Sequence, residues 1–185
     1  VAFTNIVNEG DIGVVGASGT GIQEVTTIID REGKGVTNAI GTGGRDLSTE
    51  VGAVTMLDSI KALNQDPKVK VITVISKPPA KEVEEKVLNL LRNIEKPVVT
   101  LFLGHKPEFT EKNIHHAYTL EEAARVSVQL SNGEEPNFAA STLKDINVEL
   151  KDNQTGIKGY YSGGTLASEA AMLVKDALNV ESEEA

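Results

Sequence analysis

IGVVGASGTGIQE, residues 12–24, is the stretch whose reading decides the fold. An apolar run stops at Gly16-Ala17-Ser18-Gly19-Thr20, and a helical pattern begins within two residues. That passage predicts a strand, a tight turn and a helix N-terminus. The first backbone N–H groups of such a helix lack intrahelical partners and lie at the positive end of its dipole. A phosphate or carboxylate is therefore their natural guest.

Outward from this turn, residues 11–130 alternate between short β-rich runs and helical periods, as a parallel α/β sheet requires. Strands are expected at 12–16, 36–41, 69–76, 97–104 and 114–118. The clearest helical face follows the third of them: Val83, Val87, Leu90, Leu91 and Ile94 recur at helical spacing among Glu82, Glu84, Glu85 and Lys86. Right-handed crossovers through five strands give a flavodoxin-like sheet of order 2-1-3-4-5. Its ligand crevice lies where the order reverses, between the first and third strands. Residues 1–6 read as a further short strand, and a start at Val1 reads as a piece of something longer.

Composition narrows the class. The 185 residues suffice for one full domain with an appendage, and the apolar runs are far too short to cross a bilayer. With no cysteine there is no disulfide, thiolate nucleophile or sulfur-ligated metal. A soluble, cytoplasmic protein is expected. The net charge of −9 argues against nucleic acid and anionic membrane as partners, so an anion site must be local. Beyond Leu130 the chain turns polar and supplies six of those nine negative charges. The domain is accordingly read as residues 1–130, a polar linker as 131–156, and a turn-to-helix appendage as 157–185, with a frayed acidic end. Gly163-Gly164-Thr165 repeats Ser18-Gly19-Thr20, and each is followed four residues after its Thr by a Glu, Glu169 and Glu24. A weak internal repeat, or the start of a second similar domain, accounts for it.

Three loops leave the carboxyl ends of the first three strands at 17–21, 41–46 and 76–79. Gly19, Gly21, Gly43 and Gly44 allow close backbone approach, Ser18, Thr20 and Ser76 bring hydroxyls, and Arg45 and Lys77 bring the basic groups. Taken singly, each loop reads equally well as a cap or a turn; three at one rim point to a ligand site. Familiar nucleotide fingerprints fail here. Ile22-Gln23 stand where a P-loop needs Lys and Ser/Thr, and Glu24 replaces the third glycine of a dinucleotide loop. His115 and His116 are adjacent in a strand, so they face opposite sides and read as structural. His105, at the end of the fourth strand, is better placed but has no partner tied to it by spacing. A metal requirement is not legible.

GDIGVVGASGTGIQE, AIGTGGRDLS, VISKPPA, KPVVTLFLG and YYSGGTLASEAAML together resemble the FdrA-type proteins, relatives of the succinyl-CoA synthetase α subunit. That resemblance implies a succinyl-CoA-synthetase-like ligase domain. CoA and nucleotide would be bound by other domains, a CoA-binding domain preceding this one and a second ligase-like domain following it. It also implies a phosphate-handling turn at Ser18-Gly19-Thr20. The longer histidine-bearing loop of the synthetases is short here, and Ser76-Lys77-Pro78-Pro79 replaces their acidic, glycine-rich turn. Phosphohistidine chemistry is therefore not expected. What the resemblance implies instead is an acyl-CoA synthetase-like activity, or carbamoyl transfer between oxalurate and phosphate, with Arg45 and Lys77 as the catalytic cations. Backbone donors at the glycines would hold the anions. The isolated chain is expected to be inactive, with partner domains or subunits, a homodimer among them. The competing expectation is a non-catalytic ligand-binding or assembly module, and an occluded Ser18 turn would favour it.

Overall fold

Val14 and Val15 are both fully buried, yet they belong to different apolar clusters on opposite faces of one strand. A strand buried on both faces must lie inside a sheet covered by helices on each side, which is how parallel sheets are built. In the computed structural model, which describes residues 5–105, 111–138, 153 and 156–178, that sheet has five parallel strands. They are β1 (Glu9–Gly16), β2 (Val36–Gly41), β3 (Val71–Ser76), β4 (Val98–Phe102) and β5 (Ile114–His116). The spatial order is β2-β1-β3-β4-β5, as the alternation along the chain predicts.

Helices α1 (Gly19–Arg31) and α4 (Leu120–Ser131) cover one face, and α2 (Val54–Gln65) and α3 (Lys81–Leu91) cover the other. Ile22, Val25 and Ile29 of α1 pack with Ile12, Val14 and Ile75 on the first face. Met56, Ile60 and Leu63 of α2 pack with Val83, Val87 and Leu91 of α3 on Val15, Ile72 and Val74. Val83, Val87 and Leu91 of the expected face are the buried residues of α3, while Leu90 is half-buried. Ile94 is buried too, but it lies past the helix end.

The strand ends differ slightly from expectation. β1 begins at Glu9 because Gly10 and Gly35 let two backbones pass so closely that a Cβ on either would overlap the other chain. Its pairing with β2 is irregular between Glu9 and Gly13. β5 has only three residues, although the Ala117 amide still donates to the Thr100 carbonyl at 2.8 Å. The strand expected at 1–6 falls mostly outside the described residues; Asn5 and Ile6 are not in a strand. Most of the expected linker, and the acidic end at 181–184, also lie outside them.

The last helix, α5 (Gly164–Leu178), returns to the sheet domain and packs against α1. Leu166 joins the α1–α4 side of the core, and the Leu120 amide donates to the Glu169 carboxylate at 2.6 Å. Tyr118 donates a hydrogen bond to Asp176. Glu169 is half-buried; burial pushes its carboxyl above the usual carboxylate range, with Glu24 and Glu121 adding repulsion against the lowering effect of the Leu120 amide. A carboxyl whose pKa is raised on folding contributes most when protonated. Its contribution falls as pH rises from the unfolded value through the raised one. Glu169→Gln keeps an acceptor for Leu120 without the charge. We expect slower hydrogen exchange in residues 166–178 of this variant at pH 7, and a smaller gain on acidification than in the wild type.

Candidate functional site

Register places the strand ends side by side. Gly16 is aligned with Gly41 on β2 and with Ile75 on β3, and Ser76 with Phe102 on β4. The loops at 17–21, 41–46 and 76–79 therefore leave one rim of the sheet, at the reversal of strand order.

The first loop is set by Ser18. Its extended backbone and its hydroxyl, accepting from the Gly21 amide at 3.0 Å, make it the N-cap of α1. The same hydroxyl lies 2.6 Å from the Thr165 hydroxyl, and both residues are buried. Gly21 is obligatory, because a Cβ there would stand 2.6 Å from Ser18 Oγ. Gly19 differs: it is exposed and a Cβ on it would meet nothing within 4 Å. Thr20 is covered by Gly163, where a Cβ would collide with the Thr20 side chain. The turn is thus closed on one side by the start of α5 and open at Gly19.

In the second loop Gly43 has φ +80°, a conformation that suits glycine, and Gly44 opens a 3-10 turn, Gly44–Leu47. Neither glycine has a neighbour within 4 Å of its Cβ position. Arg45 is exposed, whereas Asp46 turns inward and is 5% exposed. The Asp46 carboxylate accepts from the Thr55 amide at 2.9 Å and the Met56 amide at 2.8 Å. Helix α2 has Ala53 at its N-cap, in a left-handed conformation and without a capping side chain. Asp46 caps it through amides nine and ten residues further along the chain.

The third loop splits its two polar residues. Lys77 is exposed, with Nζ 3.8 Å from the position a Cβ on Gly164 would take, at the start of α5. Ser76 is 1% exposed. Strand alternation puts it on the face of Ile72 and Val74, away from α1, and its hydroxyl has no hydrogen-bond partner among the described residues.

The rim accordingly brings Ser18, Gly19, Thr20, Gly21 and Lys77 together with Gly163, Gly164 and Thr165. It sets Gly43, Gly44 and Arg45 on the neighbouring loop. Two features are not legible in the sequence: the capping of α2 by Asp46, which stands in a glycine-rich loop, and the contact of the Gly163-Gly164-Thr165 turn with the turn it repeats.

The histidines lie elsewhere. His116 Nδ1 is 2.6 Å from the Thr100 hydroxyl, and His105 Nδ1 is 3.3 Å from a Glu84 carboxylate oxygen. His115 and His116 both border a cleft of about 330 Å³ that Glu122, Glu135, Pro136 and Phe138 complete. Burial lowers the pKa of both imidazoles, partly offset by Glu135 at His115 and by Glu111 and Glu84 at His116. Among the described residues no group of three or more His, Asp or Glu is placed to hold a metal. No helix of the described residues is long and apolar enough to cross a membrane.

Residues 7–104 match the family model of the CoA binding domain, which takes in β1 to β4 and all three rim loops. The chain is also 43% identical over 183 residues, 95% of its length, to the uncharacterized protein YahF of Escherichia coli strain K12. It spans 35% of that relative's length. The match falls on this chain's own sheet. The chain belongs to the CoA-binding domain family.

Proposed function

We propose that this chain binds CoA or an acyl-CoA on the rim formed by its three loops, as the ligand-binding unit of an acyl-CoA-synthetase-like protein. One observation carries this reading: the pairing of α1 with α5. Among the described helices, α3 and α4 have glutamates in their first turns, and α2 is met by the Asp46 carboxylate. Helices α1 and α5 have no acidic residue in the first turn, and their N-termini meet each other through Ser18 and Thr165, with Lys77 close by. Two positive helix ends and an ammonium are brought together with no first-turn carboxylate on either helix. That favours an anion at the exposed Gly19 side of the turn.

The residues fit CoA. Its phosphates suit the backbone donors of Gly19 and Thr20 and the side chains of Arg45 and Lys77, while Gly43 and Gly44 leave open space for close approach. CoA supplies a thiol that carries acyl groups; these residues bind and orient it. FdrA-type ligation is the finer form of this reading, and carbamoyl transfer, which handles two anions, uses the same rim.

Titration of the chain with CoA by calorimetry tests it. We expect Arg45→Ala and Lys77→Ala each to weaken binding about tenfold, the scale of one exposed charge-assisted contact. Unchanged affinity in both variants would remove the rim assignment. A second reading, an assembly module, draws on the burial of Ser18 under Thr165, which closes much of the turn, and on the exposed Tyr160, Tyr161, Leu173 and Leu178 around α5. Failure of the wild type to bind CoA, together with a stable complex with a partner subunit, would favour that one.

A further inference from the structure

Ser76 is the residue of the rim that the packing does not explain. Its hydroxyl oxygen is sealed from water, has no hydrogen-bond partner among the described residues, and belongs to a side chain that is 1% exposed. An unpaired hydroxyl in such a place bears its full desolvation cost, so native proteins seldom keep one without a use. The other buried strand hydroxyls of the described sheet are paired. Thr73 lies 2.7 Å from the Ser127 hydroxyl and Thr100 2.6 Å from His116. Alanine would occupy the site without an unpaired polar atom, and the preceding residues of β3, Ile72, Val74 and Ile75, are apolar.

We propose that Ser76 is a specificity-determining residue for the bound ligand, its hydroxyl pairing with an amide of the pantetheine arm. This rests on the CoA reading above. The choice of the arm over the phosphates follows from the surroundings. Arg45, Lys77 and Gly19 are exposed and suit charged groups that keep part of their hydration. Ser76 instead sits in an apolar layer, on the face of Val74 and in register with the buried Phe102. A neutral amide enters such a layer at far less desolvation cost than a phosphate does. The reach is short, because Ser76 is one residue beyond the Ile75–Gly16 pair, and neighbouring strands are about 5 Å apart. Because the hydroxyl is sealed from water, contact requires the rim above it to open.

The test compares two probes, CoA and adenosine 3′,5′-bisphosphate, which lacks the arm, on the wild-type chain and on Ser76→Ala. We expect Ser76→Ala to raise or preserve the melting temperature of the free protein, since it removes an unpaired buried hydroxyl. CoA should bind about tenfold more weakly and the bisphosphate with unchanged affinity. Ser76→Thr, which keeps the hydroxyl, should restore most of the CoA affinity. A clear fall in melting temperature would show that the hydroxyl is paired within the fold and overturn the inference. Equal CoA affinity in wild type and Ser76→Ala would overturn it while leaving the CoA reading intact. Equal weakening of both probes would mean a general distortion of the rim and would also sink it. Absence of CoA binding by the wild type would overturn the CoA reading and this inference together.

Discussion

Gly16→Ala is expected to lower the unfolding free energy by about 3 kcal/mol, the upper range for overpacking a close-packed site. An added Cβ would stand 2.5 Å from the Ile75 carbonyl oxygen and 3.1 Å from the Ile22 side chain. The carbonyl is backbone and accepts from the Ala17 amide at 3.0 Å, so it cannot swing aside without opening the β1–β3 pair. Gly19→Ala is the matched control. Its Cβ meets open space, so stability should hold or rise slightly, and CoA affinity should fall if ligand approaches that backbone. Urea titrations of the two variants separate a glycine required by packing from one left open at the site. Equal stability loss in both would contradict the assignment.

The second large effect is expected at Asp46. Asp46→Ala removes a buried carboxylate that accepts from two otherwise unsatisfied amides, those of Thr55 and Met56, and should cost about 3 kcal/mol. Asp46→Asn retains one acceptor oxygen and should cost distinctly less. Local exchange rates in α2 report this directly: the first-turn amides of Asp46→Ala should lose protection before the rest of the helix. The Gly43–Arg45 segment precedes Asp46 immediately. The variant should therefore weaken ligand binding as well, through a displaced Arg45.

The sheet was legible because its inner strands are apolar on both faces. Residues 71–76 are all buried, and the β-branched run VITVIS is too short for a helix. The order 2-1-3-4-5 followed from handed crossovers. The early start of β1 was not legible, because Glu9-Gly10-Asp11 has no strand character. It forms there only through the close passage of Gly10 and Gly35, a pair brought together by the fold. The rim loops were legible one by one from glycine and hydroxyl content. Their internal division was not. Whether Asp46 caps α2 or faces solvent depends on a left-handed Ala53, which local propensity disfavours. Whether Ser76 stands with Lys77 or across the sheet from it depends on where the strand ends.

The Ser18–Thr165 contact has a kinetic side. Its partners are 147 residues apart, and closing a loop of that length carries an entropic cost on the order of 4 kcal/mol. Helix α5 has little to set against that cost, since Thr165 is its one buried residue among those described. Contacts of such high sequence separation form late on the folding pathway, after the local β-α units have condensed. The sheet domain should therefore fold first and α5 dock in a separate, slower and more readily reversed step. A ligand held between the two helix ends would act on that last step, slowing undocking far more than it slows global unfolding.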